Sequence, residues 1–123
     1  MFKLVRIQNA QMNVPEPEYL PAAAESFAEG EALVVTGGKL TKAGATALPT
    51  FIAAKSVTAA AGDIVPAFRV EPQQVWEAPN PGAVTIGAKV TLEADGLGVT
   101  ATTTSGVATI TEVFPDVVHV MFR

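Results

Sequence analysis

Residues able to do chemistry are few in this chain of 123 residues. His119 is the single histidine. A hydrolase built on it needs a hydroxyl nucleophile and an orienting carboxylate within reach. Ser26, Ser56 and Ser105 supply hydroxyls, yet none lies in a G-x-S-x-G elbow or an S-x-x-K motif. Three carboxylate pairs, Glu16/Glu18, Glu29/Glu31 and Glu93/Asp95, stand at i, i+2. On a strand that spacing puts both acids on one face, where a general acid–base pair would need them. They fall on a proline-rich stretch or beside glycines, where solvated carboxylates are ordinary. One histidine without cysteine offers no zinc set, and there is no D-x-D-x-D-G loop for calcium. Gly37-Gly38 precedes Lys39-Leu40-Thr41 rather than a helix, so it reads as a hairpin turn and not a phosphate cradle. Trp76, beside Gln73 and Gln74, reads first as a core anchor and second as a platform for stacking a sugar. The expectation is an ordinary strand histidine, no enzyme, no cofactor and no metal.

The elements that carry these residues read as strands. Phe2–Gln8 is a short strand, and the stretch from Asn9 to Ser26 holds Pro15, Pro17 and Pro21. Each proline lacks a donor and pushes its predecessor toward extended geometry, so no helix is expected there beyond one turn around Ala22–Phe27. Ala32–Thr36 and Lys39–Lys42 flank Gly-Gly, and Ala88–Leu92 and Gly98–Thr102 flank Asp95-Gly96, two hairpin signals. Thr50–Ala54, Ile64–Val70, Gln73–Glu77, Val107–Val113 and Val117–Phe122 complete the series, with Pro66 predicting an edge strand or a bulge. Short β-rich runs about every ten residues, with no sustained helical period, predict an all-β barrel or sandwich. The expected division is an extended N-terminal arm over residues 1–25 and a single β-rich domain over residues 26–123.

Composition narrows the partners. Charged residues make up 16% and hydrophobic ones 49%, with a net charge of −4. A nucleic-acid surface needs clustered Lys and Arg, and disorder needs low hydrophobicity with high charge, so neither is expected. No apolar run exceeds four residues, so no membrane segment is expected either. The charge deficit predicts surface covered in an assembly. Val117–Phe122 in particular is apolar on both faces, whereas a half-buried strand should show one polar face.

One resemblance follows. The order Gly30–Val35, Gly37-Gly38-Lys39-Leu40, Pro49–Ala53, Gly62–Pro66, Gly87–Leu92 and Asp95-Gly96 resembles the small head decoration (cement) proteins of tailed bacteriophages, lambda-type included. It covers roughly Glu29 to Ile110 as an order of strands and turns. The resemblance implies a β-rich domain of β-tulip type. It implies a homotrimer on the outer face of the virion, clamping the major capsid protein lattice and stabilising the expanded head.

The apolar residues of the arm, costly to leave in water at about 25 cal/mol per Å², are expected to lie on its own domain or on a partner. Phe2, Leu4, Ile7, Tyr19 and Leu20 are the expected capsid or neighbour contacts, with Met12 and Val14 also in the apolar set. A second expectation is a carbohydrate- or host-surface-binding module of a head fibre or tail accessory, using Trp76. A third is a small hydrolase built on His119 and a carboxylate.

Overall fold

A computed structural model describes residues 1–7 and 15–123. Gln8, Met12 and Val14 lie outside the described residues. The chain is all-β, and among the described residues no helix forms, so Ala22–Phe27 holds no helical turn. Instead Ser26–Phe27 (β3) pairs with Val57–Thr58 (β7) as a small ribbon.

Sheet one contains β1 (Lys3–Ile7), β9 (Gln74–Pro79), β12 (Val117–Phe122), β11 (Ala108–Val113) and β10 (Lys89–Val90), in that spatial order and antiparallel throughout. Sheet two contains β2 (Glu18–Pro21), β8 (Ile64–Arg69), β6 (Phe51–Ala53), β4 (Ala32–Thr36) and β5 (Lys39–Lys42), again antiparallel. A bridge between Ala22 and Leu40, with Ala23 N–H donating to the Leu40 carbonyl at 2.9 Å, brings the two ends of sheet two together.

Both predicted turns form. Gly37 and Gly38 take φ of 59° and 78° and join β4 to β5 with Thr36 opposite Lys39, as a two-residue primed turn requires. Asp95-Gly96 closes a narrower ladder held by the Leu92–Val99 bridge, and its second arm is not a regular strand. Pro66 sits on β8, which is internal rather than an edge. It lies beyond the last β6 partner pair, Ala53–Ala67, and its carbonyl accepts the Ala54 N–H, so the missing proline donor costs no ladder bond.

Two cores result. The larger lies between the sheets, where Trp76, Phe2, Phe122, Ile110, Val118 and Val120 meet Ala32 and Ile52. Phe2 and Phe122 pack edge to face at 5.0 Å. The smaller fills the curl of sheet two with Phe27, Leu33, Leu40, Phe51, Val65 and four alanines. Sheet two therefore has a core on each side: Ala32 and Ile52 serve one, Leu33, Phe51 and Ala53 the other.

For Val117–Phe122, the run that the low charge marked as needing a partner, the fold supplies the cover: Val118 through Phe122 are buried within one chain. The positive charge is concentrated on edge strands. Lys3 and Arg6 on β1, Lys39 and Lys42 on β5, and Lys89 on β10 are five of the eight cations. Charged side chains, lysine above all, discourage edge-to-edge pairing with other chains.

The expected arm enters both sheets. β1 forms the edge of sheet one and β2 that of sheet two. Gly30 seats the start of the chain. Its carbonyl accepts the Phe2 N–H at 3.0 Å, its φ is 80°, and a Cβ there would stand 3.1 Å from the Phe2 nitrogen.

Candidate functional site

His119 lies on the outer face of sheet one, and the ladder decides its neighbours. On β9 its opposite residue is Glu77, and Glu77 in turn faces Lys3 on β1. On β11 the register shifts by one between Ile110 and Glu112, so Glu112 rather than Thr111 stands opposite His119. A matching shift between Leu4 and Arg6 on β1 places Arg6 opposite Val75, whose face also carries Glu77. A bulge inserts one residue and re-aims those that follow it. Two bulges thus bring Arg6 and Glu112 onto the face that His119 already occupies.

The resulting cluster is closely connected. Arg6 Nη2 donates to Glu112 Oε1 at 2.6 Å, with β9 and β12 between their strands. His119 Nδ1 lies 3.2 Å from the same Glu112 oxygen, and Nε2 lies 3.8 Å from Glu77. The Phe114 ring packs 5.0 Å from the imidazole. The hydrogen bond from Arg6, followed by that from His119, holds the Glu112 carboxyl below its usual pKa.

This cluster gives His119 the orienting carboxylate of a general base. Both of its nitrogens face acids, however, and the adjacent Thr111 hydroxyl donates to the His119 carbonyl. Ser26 is bonded to Thr58, and Ser56 accepts the Glu29 N–H. What the cluster does chemically is tie three strands and the edge strand β1 together.

The carboxylate pairs separate. Glu18 grips Arg69 through two bonds of 2.7 and 2.8 Å, which hold its pKa low. Glu29 is exposed, while Glu31, past the left-handed Gly30, is buried. Burial raises the Glu31 pKa, opposed by Lys42 at 3.7 Å, and Glu31 Oε2 has no partner among the described residues. Asp95 accepts the Leu97 N–H within its turn.

The expected contact residues divide. Phe2 is 2% exposed in the core between the sheets, and Leu4 packs against that core. Ile7 is half-buried, and Leu20 packs on the smaller core. Tyr19 is 68% exposed. It stands opposite Pro66, with Pro21 opposite Ile64 one step along, and Ile64 is 61% exposed. Residues two apart share a strand face, so Tyr19, Pro21, Ile64 and Pro66 form one apolar stripe. Ile64 is a member that sequence reasoning missed; its strand was legible, but not which face lacks a covering layer.

No family model and no curated protein matches this sequence.

Trp76 is 2% exposed, with its ring tilted against Phe122 at 6.2 Å. Buried there, it serves as the core anchor and not as a stacking platform for a sugar. An open recess that includes Glu77 is lined by Met1, Lys3, Glu77, Ala78, Pro79 and Val117, with a volume of about 280 Å³.

Proposed function

We propose that this chain is a non-enzymatic virion protein, a decoration protein of a tailed-phage capsid that binds the outer face of the head lattice. The observation that carries the reading is the contiguous apolar stripe of Tyr19, Pro21, Ile64 and Pro66, which sets two strongly exposed side chains, Tyr19 and Ile64, on one face of paired strands. The order of strands and turns that resembles the cement proteins supports it.

The physics is mass action. A protein that binds only the assembled lattice raises the lattice's stability, and linked copies add avidity. On this reading the chain is a homotrimer whose stripe meets the capsid protein. It requires neither cofactor nor nucleic acid.

The test is co-sedimentation with expanded capsids of the phage that carries the gene. Removing residues 2–20 would strip both sheets of an edge strand, so point substitutions serve better. Wild type is expected to sediment with the capsids and raise their disruption temperature. Tyr19→Ser with Ile64→Thr, with both sites exposed, is expected to weaken binding at least about tenfold, as losing two buried apolar contacts should. Failure of the wild-type chain to bind overturns the reading. Light scattering should give three times 12.7 kDa, and a monomer at every concentration removes the trimer.

A further inference from the structure

Glu31, just before β4, is 3% exposed, and its Oε2 has no partner among the described residues. The counter-charge is Lys42 on β5, 3.7 Å from Oε1 and itself nearly half exposed. Two further carboxylates face it: Glu25, from the segment before β3, and Asp95, from the turn after β10. β6 brings no charge; its Ala53 N–H donates to the Glu31 carbonyl at 2.9 Å. Three carboxylates therefore share one lysine, and the buried one has an oxygen left unmet. A buried acid in that position gives up its charge more readily than one in water. Burial, the largest influence, accordingly keeps the Glu31 proton on beyond the usual carboxylate range.

The cover over Glu31 is the Asp95–Gly96 turn. Gly96 lies so close that a Cβ there would stand 3.1 Å from Glu31 Cγ. The Ala32 N–H donates to the Gly96 carbonyl at 2.8 Å, the one backbone hydrogen bond among the described residues that joins this turn to β4. The Gly96 and Leu97 N–H groups are spent inside the turn, on Glu93 and Asp95. A segment held by so few bonds opens at far lower cost than the whole domain. We propose that the Asp95–Gly96 turn is a proton-gated cap on Glu31, seated while the carboxyl holds its proton and released when it ionises. The seated state holds the proton more tightly than the open one, so opening grows easier as pH rises from the ordinary carboxylate value. The device is independent of the capsid-facing stripe, and its test does not depend on capsid binding.

The test is native-state amide exchange on the full chain, corrected for intrinsic rates, from about pH 4 to about pH 7. The Ala32 N–H reports the cap, and β12 amides report global unfolding. Ala32 is expected to open more often than β12 and, unlike β12, to ignore low urea, because lifting a turn exposes little surface. Its opening constant should rise with pH at least about fivefold, the low end for leaving a buried acceptor unmet. Glu31→Gln, which cannot ionise, is expected to hold that constant flat. If that variant loses the wild-type spectrum, Asp95→Asn replaces it. This change keeps the acceptor for Leu97 and removes a facing charge, so it should lower only the high-pH constant, by about twofold. The proposal is overturned by any of three results: equal opening and urea dependence at Ala32 and β12, no rise with pH in the wild type, or wild-type behaviour in the folded variant.

Discussion

β1 and β2 occupy equivalent places and are used in opposite ways. Each forms the edge of a five-stranded sheet, and each comes from the N-terminal segment. β1 lies over the core between the sheets, with Phe2 just before it buried there, and it is tied across its sheet through Arg6. β2 turns Leu20 onto the smaller core and Tyr19 to the outside, where it is largely uncovered among the described residues. The two segments have similar apolar content. The difference teaches that a second layer, and not hydrophobicity, decides whether an apolar edge strand belongs to the domain's interior or to its surface.

Substitutions sharpen this contrast, beginning with the largest effect. Phe2→Ala is expected to lower unfolding free energy by about 3–5 kcal/mol, whereas Tyr19→Ala should stay within about 0.5 kcal/mol. Urea denaturation of both variants decides it, and equal losses would erase the distinction. Gly30→Ala attacks the seat of β1 by forcing a side chain into left-handed backbone against Phe2. A loss of about 1–3 kcal/mol is expected by the same assay.

Glu31, one residue on, should act in the opposite sense. Its pKa is raised by burial, so what it contributes is present below the ordinary carboxylate range and is lost as pH rises through its folded value. Glu31→Gln is therefore expected to raise stability at neutral pH and flatten that decline, as thermal melts across a pH series would show. The smallest effect belongs to the exposed pairs. Glu112 and Glu18 have lowered pKa values, so their contributions hold above the ordinary carboxylate range and fade as pH falls through their folded values. Glu112→Gln for β1 and Glu18→Gln for β2 should each remove part of the acid-side loss. The effect should shrink with added salt, because exposed ion pairs are screened.

Much of the fold was legible in the residues. Period-two runs and Gly-Gly or Asp-Gly punctuation placed β4, β5, β6, β9, β11 and β12 because those signals are local. Three things were not legible. The alternation breaks at Leu4-Val5 and at Thr111-Glu112, where the bulges lie, but a doublet alone does not distinguish a bulge from an irregular strand, so nothing local announced that Arg6 and Glu112 would join His119. Pro66 warned of an edge, yet its missing donor falls where β6 has already ended. The charge deficit suggested a covered outer surface, whereas a sheet with a core on each face consumed much of the apolar excess. Among the expected contacts, Tyr19 lies on the surface and Phe2 in the core; burial set by strands distant in sequence separates them.

The pairing of β1 with β9 carries a consequence for how the chain is made. β1 is made before its partner strand β9, which lies more than half of the 123 residues away. Loop closure over that distance is slow, so a strand made well before its partner is among the last to be placed. Until it docks, the Phe2 ring stays open to solvent. In the folded protein the same segment is the natural unit of partial opening, and its amides should exchange with deuterium ahead of those of β12.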